Sequence, residues 1–276
     1  MTINCNGTLI DLRQPKVMGI LNITPDSFFD GGKYKDTEAI LSQVEKMLEE
    51  GATFIDVGGY SSRPGAVHIS EQEELERVLP IVELLTISFP GIIISIDTFR
   101  SKVASACIRK GAAMINDISA GEMDENMFKV VAELQVPYCM MHMLGTPQNM
   151  QLKPEYEDIV TDLLRYFSEK TGRLKLLGLK DILVDVGIGF GKTMDDNYKL
   201  LQQLSLFKTL DFPLLIGVSR KSMLYKPLGI TAKEALNATT VAHTLALING
   251  ASILRAHDVK EAVEAVKIVG LWNSND

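Results

Sequence analysis

Eight short apolar runs, rich in β-branched residues, recur at regular intervals along the chain. They begin at residues 17, 54, 92, 112, 138, 182, 214 and 253. Their mean spacing of about 34 residues is the size of one strand followed by one helix. Segments with helical periodicity lie between them, and glycine follows several of these segments, as at Gly51, Gly111 and Gly250. The pattern predicts strict alternation of strand and helix.

Continuously apolar strands are typical of a parallel sheet whose faces are covered by crossover helices. Eight consecutive units favour a closed (β/α)8 TIM barrel over an open doubly wound sheet. Residues 3–10, with Asn6 and Gly7 as a two-residue turn, predict a short N-terminal β-hairpin that caps the barrel floor. No linker or composition break divides the chain, so we expect residues 1–276 to form one α/β domain. The predicted helices are 37–50, 71–88, 101–110, 125–135, 155–177, 196–210, 232–249 and 259–269.

Composition excludes several classes of protein. The net charge is −7, which argues against a nucleic-acid footprint of clustered basic residues. No apolar run approaches the length of a membrane span, and the N-terminus does not resemble a secretory signal. The three cysteines are odd in number and form no CxxC pair, which favours a reducing compartment and hence the cytoplasm.

Polar residues interrupt the apolar runs where the strands are predicted to end. In a (β/α)8 barrel these ends share one rim, which is where active sites lie. Any one of these residues is easily explained as a turn or a helix cap, but such a group at nearly every strand end is not. The residues at the rim are Asn22, Asp56, the loop of Ser61, Ser62, Arg63, Pro64 and Gly65, then Asp97, Asn116, Asp117, His142, Asp185, Lys192, Ser219, Arg220, Lys221, Arg255 and His257.

These residues separate into two chemical kinds. The first kind suits a phosphate or diphosphate group, and comprises Asn22 with the cationic Arg63, Lys221, Arg255 and His257. The second kind suits a flat heterocycle with adjacent N–H donors, and comprises Asp97, Asn116 and Asp185. Two other features are assigned no chemistry. His142 is interpreted as a hydrogen-bonded core histidine, and Gly187, Gly189 and Gly191 as a tight turn, because their spacing is not that of a dinucleotide-binding loop.

Eight segments together resemble the dihydropteroate synthase family across almost the whole chain. They are MGILNITPDSFFDGG (18–32), DVGGYSSRPG (56–65), SIDT (95–98), NDI (116–118), MHMLGTPQNMQ (141–151), DVGIGFGK (185–192), SRKS (219–222) and RAHDV (255–259). The resemblance implies a TIM barrel that joins 6-hydroxymethyl-7,8-dihydropterin diphosphate to p-aminobenzoate in folate biosynthesis. It further implies loss of pyrophosphate before attack by the amine, inhibition by sulfonamides, and a homodimer.

The resemblance also implies site residues. Pterin would be bound by Asp97, Asn116, Ile118, Met141, Asp185, Phe190, Gly217 and Lys221. The diphosphate would be held by Asn22, Arg63, Arg255 and His257, and Mg²⁺ by Asn22 and Asp30. The p-aminobenzoate slot would comprise Phe28, Ser62, Arg63, Pro64, Phe190, Lys221 and Ser222. The expected catalytic residues are Asn22, Asp30, Arg63, Lys221, Arg255 and His257.

The sequence departs from the usual family pattern at three positions. Phe29 replaces a serine in the first loop, and Tyr60 and Ser62 replace Glu and Thr in the second. These departures bear on inhibitor sensitivity and loop behaviour more than on the type of reaction.

Three other functions are consistent with parts of the sequence but fit the whole less well. A folate-handling methyltransferase barrel would share the Asp, Asn and Asp anchors, but it would not need Lys221 or the pair Arg255 and His257. A phosphosugar isomerase or aldolase would share the scaffold alone. An inactive interaction protein is disfavoured because no anchor position is lost.

Overall fold

The computed structural model describes residues 1–23, 33–61, 67–147, 150 and 154–274, with the backbone alone for 33–36. Strand and helix alternate along these residues as the sequence pattern predicts. The strands are β1 Thr2–Cys5, β2 Thr8–Asp11, β3 Lys16–Asn22, β4 Phe54–Gly58, β5 Ile94–Asp97, β6 Met114–Asp117, β7 Tyr138–Met141, β8 Ile182–Asp185, β9 Leu215–Ile216 and β10 Ile253–Ala256. The α-helices are α1 Lys33–Glu49, α2 Glu71–Ser88, α3 Ser101–Arg109, α4 Met127–Leu134, α5 Ile159–Leu176, α6 Met194–Gln202, α7 Ser222–Tyr225, α8 Leu236–Ile248 and α9 Val259–Asn273.

Eight parallel strands form the barrel. Their hydrogen-bonded order is β8, β7, β6, β5, β4, β3, β10 and β9. The ring closes between β8 and β9, where Val184 and Leu214 form a parallel bridge and the Val184 N–H donates to the Pro213 carbonyl at 3.0 Å. The prediction of a closed (β/α)8 barrel is therefore confirmed.

The N-terminal hairpin lies at the floor of the barrel. β1 and β2 pair antiparallel, and the turn residues Asn6 and Gly7 have φ angles of 51° and 86°. Ile3 and Cys5 pack in one buried cluster with residues of the barrel strands. The predicted cap on the barrel floor is thus present, and it leaves the opposite rim accessible.

Burial explains why the strands read as apolar in the sequence. Every residue of β4 is buried, including Asp56, because the barrel interior covers one face of the strand and helices cover the other. Polar caps fix where several helices begin. Ser70 accepts a hydrogen bond from the Glu73 N–H at the start of α2, and Thr193 and Asp196 form a capping box at the start of α6.

Two long helices predicted from the sequence are divided in the structure. The segment 196–210 becomes α6 followed by a 3₁₀-helix, Leu204–Leu210, whose buried Leu204 and Phe207 are three residues apart, as that tighter helix requires. The segment 232–249 becomes the short 3₁₀-helix Ala232–Glu234 followed by α8. The helix predicted from residue 155 begins only at Ile159, because Asp158 is extended and caps it. Among the helices that the structure describes, none is long and apolar enough to cross a membrane.

Candidate active site

Strand register brings polar residues of β3, β5 and β6 to one height, with Gly58 of β4 between the first two. Asn22 on β3 pairs with Gly58 on β4, Gly58 pairs with Asp97 on β5, and Asp97 pairs with Asn116 on β6. On the far side of the barrel, Asp185 ends β8 beside Met141 of β7. The structure thus brings Asn22, Asp97, Asn116 and Asp185 to the rim predicted from the sequence.

A cavity opens inside this rim. It is lined by Asp97, Asn116, Ile118, Met141, Asp185, Phe190, Gly217, Lys221 and Arg255. All eight residues expected to contact pterin lie in this lining, together with one of the expected diphosphate ligands. The structure thus brings together residues that are up to 158 positions apart in the chain, as the bond between Asp97 and Arg255 illustrates.

Asp56 connects two parts of the cavity. Its Oδ2 atom accepts hydrogen bonds from Asn116 Nδ2 at 3.0 Å and from Arg255 Nε at 2.6 Å. Arg255 Nη2 also donates to Asp97 Oδ2 at 2.8 Å. Because the Nδ2 donor of Asn116 is committed to Asp56, the amide presents its acceptor Oδ1 to a ligand.

Burial shifts the ionisation of the two carboxyl groups in the lining. It raises the pKa of Asp97, although Arg255 opposes the shift, and it raises the pKa of Asp185, although Lys221 opposes that shift. Burial acts to lower the pKa of Arg255, but the carboxylates of Asp56 and Asp97 outweigh it and raise this pKa further above its usual range. The cavity therefore holds acceptor groups whose charge is balanced by fixed cations.

Asp185 and Lys221 form the opposite wall. The Gly187 N–H donates to Asp185 Oδ1 at 2.8 Å and orients the carboxylate. Lys221 Nζ donates to the Ile188 carbonyl and lies 4.8 Å from the centre of the Phe190 ring. Burial lowers the pKa of Lys221 to about 8, although Asp185 opposes the shift.

The basic residues after β9 and β10 have different surroundings. His257 is exposed, and its Nδ1 lies 3.0 Å from Ser219 Oγ, which also accepts from the His257 N–H at 3.2 Å. Arg220 points away from the cavity and makes a bidentate ion pair with Asp258, with both distances 2.8 Å. Ser222 begins α7 and is exposed. Ser219 therefore positions His257, whereas Arg220 ties the loop after β9 to the start of α9.

Several expected site residues lie outside the described part of the chain. They are Phe28, Asp30, Ser62, Arg63 and Pro64, and Phe29 lies there as well. Their roles remain predictions. Asn22 is described, is half-buried and ends β3 at the rim.

The Tyr60 departure has a clear structural setting. Tyr60 is 6% exposed, its hydroxyl lies 3.2 Å from His68 Nδ1, and its ring packs edge-on against Phe99 with centroids 5.0 Å apart. Tyr60 belongs to a buried apolar cluster that also contains Ile118 and Met141 from the cavity wall. The aromatic side chain thus backs the cavity from the side of β4.

Sequence reasoning did not assign roles to Asp56 and Ser219. Their position as polar residues at strand ends was the one feature of the sequence that indicated a role in the site. Their partners, Arg255 and His257, are 199 and 38 residues away, and only the barrel register brings them into contact.

Comparison with known proteins agrees with the resemblance seen in the sequence. The family model described as pterin binding enzyme matches residues 18–257. The dihydropteroate synthase of Escherichia coli strain K12 is 42% identical over 271 residues, covering 98% of this chain and 95% of that protein.

Solved structures show the same similarity. A Yersinia pestis dihydropteroate synthase in a sulfonamide drug complex superposes with a TM-score of 0.93 at 42% identity, covering 99% of this chain and 100% of that one. The Xanthomonas albilineans enzyme in complex with 7,8-dihydropteroate gives 0.88 at 34% identity, covering 99% of both chains. The chain therefore belongs to the pterin binding enzyme family and, within it, to the dihydropteroate synthases.

Proposed function

We propose that this protein condenses 6-hydroxymethyl-7,8-dihydropterin diphosphate with p-aminobenzoate to give 7,8-dihydropteroate and pyrophosphate. The observation that carries the proposal is the cavity at the barrel mouth. It places the acceptor groups of Asp97, Asn116 and Asp185 around one space, with the cations Lys221 and Arg255 in the same wall. The relatives solved with 7,8-dihydropteroate and with a sulfonamide support the same chemistry.

The pterin would be recognised by hydrogen bonding along its edge. A carboxylate accepts two parallel hydrogen bonds from a guanidine-like N–H pair, which suits Asp185, and the Oδ1 atom of Asn116 accepts a further one. The apolar side chains of Ile118, Met141 and Phe190 line the same cavity and would contact the flat faces of the ring. Recognition would thus combine directional hydrogen bonds with a narrow apolar slot.

The diphosphate would lie toward Asn22, Arg63, Arg255 and His257. A guanidinium has five N–H donors, and Arg255 gives two of them to Asp56 and Asp97. The others would donate to phosphate oxygens. Because the two carboxylates hold the side chain in place, little reorganisation is needed when the anion binds.

The residues present fit a magnesium ion of the kind that accompanies phosphates. Among the described residues there is no cluster of three or more His, Cys, Asp or Glu side chains that could hold a metal. Mg²⁺ needs no such cluster, because it commonly keeps several waters and binds one or two protein oxygens together with substrate phosphates. Asn22 at the rim, together with Asp30, would hold the ion, and the bound ion would neutralise charge on the leaving diphosphate.

The reaction would proceed by early cleavage of the C–O bond between the pterin methylene and the diphosphate. The bonding electrons leave with pyrophosphate, whose charge Arg255 and His257 stabilise. The cation that remains is delocalised into the pterin ring, and the amine of p-aminobenzoate donates its lone pair to the methylene carbon and then loses a proton. Because this amine is neutral at pH 7, the site needs no strong base to activate it.

The p-aminobenzoate slot would be formed by Phe190, Lys221 and Ser222 together with Phe28, Ser62, Arg63 and Pro64. The exposed position of Ser222 at the start of α7 agrees with a slot at the outer edge of the cavity. Sulfonamides would compete with p-aminobenzoate there.

The test is a reaction of the purified protein with Mg²⁺, dihydropterin diphosphate and p-aminobenzoate. Pyrophosphate and 7,8-dihydropteroate are quantified in the same sample, and equal amounts are expected. Pyrophosphate without dihydropteroate would contradict the transfer step. If neither product forms while methyltetrahydrofolate binds, the proposal fails in favour of a methyltransferase barrel.

We also propose that the protein is a homodimer in the cytoplasm. Two neighbouring helices expose large apolar side chains at helical spacing, namely Val241, Leu245 and Ile248 on α8 and Ile268, Leu271 and Trp272 on α9. The three cysteines are all unpaired and buried, which suits a reducing compartment. Light scattering should give twice the mass of 30.4 kDa, and Leu245→Glu should give the monomer mass. A monomeric parent protein would contradict the dimer.

A further inference from the structure

Lys192 is a buried lysine behind the cavity that the reaction described above does not use. It follows the glycine turn that joins β8 to α6, and only 4% of its surface is exposed. Its Nζ atom lies 3.0 Å from His142 Nδ1, 3.1 Å from the His142 carbonyl oxygen and 3.0 Å from the Phe190 carbonyl oxygen. A single ammonium group therefore connects the loop after β7 to the loop after β8.

The number of acceptors matches a charged lysine. An ammonium group has three N–H donors, and here it faces three acceptors, provided that His142 is neutral with its proton on Nε2. Burial, assisted by the charge of Lys192, lowers the pKa of His142 to about 3 and so keeps the ring neutral. The buried cation is thus fully hydrogen-bonded, although no carboxylate in the described part of the chain is bonded to it.

The loops that Lys192 joins carry the pterin-facing residues. His142 directly follows Met141, and its N–H donates to the Asp185 carbonyl at 3.1 Å. The backbone of Phe190, whose ring lines the cavity, is held by the same Nζ atom. The packing is tight, because a Cβ atom built on Gly187 would lie 2.0 Å from the His142 carbonyl oxygen and 3.2 Å from Lys192 Nζ.

The charge of Lys192 also acts on Asp185 through space. Burial raises the pKa of the Asp185 carboxyl, and the charge of Lys192 opposes this rise together with Lys221, Arg255 and the Gly187 N–H; the carboxylate in turn opposes the lowering of the pKa of Lys192. Burial is the larger effect on the lysine and lowers its pKa to about 7. The titratable groups that face Lys192 from the surrounding elements are His142 after β7, Asp185 on β8, Lys221 before α7 and Asp196 on α6.

We propose that Lys192 is a positioning residue of the pterin site, whose ammonium group joins the loops after β7 and β8 and so holds Phe190 and Asp185 in the cavity wall without touching the substrate. This inference rests on the proposed function. A hydrophobic side chain of similar length would fill the same space without the cost of burying a charge, but it would leave the three acceptors without their donor. The ammonium group is therefore explained by the acceptors that it joins beside Asp185 rather than by packing.

Two variants separate charge from packing. Lys192→Met keeps the length of the side chain and removes both the charge and the hydrogen bonds, whereas the amide of Lys192→Gln retains two N–H donors without the charge. Lys199→Met is the matched control, because Lys199 is 40% exposed and pairs with Asp158 on the surface. Dissociation constants for dihydropterin diphosphate are measured without p-aminobenzoate from pH 5 to 8, and the KM for p-aminobenzoate is measured separately.

Both Lys192 variants should weaken pterin diphosphate binding about tenfold at pH 7 while changing the KM for p-aminobenzoate less than about twofold. The pH below which pterin binding weakens should rise, because an acid that loses a nearby cation has a higher pKa. Lys199→Met should match the parent protein in all three measurements.

Unchanged pterin binding in a folded Lys192→Gln variant would overturn the inference. So would an equal loss in pterin binding and in the KM for p-aminobenzoate with no movement of the pH profile, since that result indicates general loosening. Failure of the proposed function is distinguishable, because then the parent protein itself forms no dihydropteroate.

Discussion

Replacing Asp185 by asparagine tests how the cavity recognises pterin. Asp185 Oδ1 already accepts the Gly187 N–H at 2.8 Å, and the carboxylate faces the cavity. An amide has one acceptor and one donor where the carboxylate has two acceptors. Whichever way Asp185→Asn turns, its NH₂ group meets an N–H group, either that of Gly187 or that of the ligand.

The expected loss follows from this geometry. A charge-assisted hydrogen bond contributes about 1.5 to 3 kcal/mol, and a buried donor left facing another donor costs about 1 to 3 kcal/mol. Together these give about 2.5 to 6 kcal/mol. Pterin binding should therefore weaken by between about sixtyfold and about twenty-thousandfold, at about 1.4 kcal/mol per factor of ten.

The folding stability of Asp185→Asn should rise or stay unchanged, although its pterin binding weakens. Burial raises the pKa of Asp185 in the folded protein, so its ionised form at pH 7 costs folding free energy that a neutral amide does not. Thermal unfolding of Asp185→Asn should thus occur at or above the temperature of the parent protein.

The assay is titration calorimetry with the pterin diphosphate in the absence of p-aminobenzoate. Asp181→Asn is the control, because Asp181 lies at the opposite end of β8 and accepts a hydrogen bond from the Asn4 N–H of the hairpin at 2.9 Å. That variant should bind pterin normally. If Asp185→Asn binds pterin within about threefold of the parent protein, the recognition described here is wrong.

Three further predictions follow from the same geometry. Asp56→Asn should lower the unfolding free energy by about 3 kcal/mol in denaturant titrations, because it breaks a buried ion pair; an unchanged midpoint would contradict this. Gly187→Ala should abolish pterin binding in calorimetry, because the added Cβ atom would clash with the His142 carbonyl oxygen. Gly178→Ala should leave pterin binding unchanged, because Gly178 shares a positive φ but has open space around it. Equal effects of the two substitutions would indicate that backbone strain alone is responsible. The kcat/KM should fall as pH rises through about 8, where Lys221 loses its proton. The Lys221→Arg variant should lack this fall, even if its kcat is lower, because arginine stays charged. A fall in both the parent protein and the variant would assign the titration to another group.

The repeating apolar runs were sufficient to predict the barrel. Each run overlaps the strand observed, because a strand buried on both faces has to be apolar along most of its length. The division of segment 196–210 could not be predicted, because Leu204 and Phe207 fit an α-helical pattern as well as a 3₁₀ one. The choice depends on contacts with the rest of the core.

The site could be predicted in its residues but not in its connections. Strand-end position and chemical type identified Asp97, Asn116 and Asp185, all of which line the cavity. The bonds that Asp56 makes depend on side chains from β6 and β10 meeting at one oxygen atom, which register determines and local sequence does not. Lys192 could be predicted to lie at the rim, but its partners could not, because they depend on the loops after β7 and β8 lying side by side.

The most direct test is a crystal structure of the protein with the dihydropterin diphosphate bound. The amino-pyrimidine edge of the pterin should lie at hydrogen-bonding distance from the Asp185 carboxylate and the Asn116 amide oxygen. The ring should lie beside Phe190, and the diphosphate should point toward Arg255 and His257. A pterin bound outside this cavity, or bound inside it without contact to Asp185, would contradict the proposed pterin site.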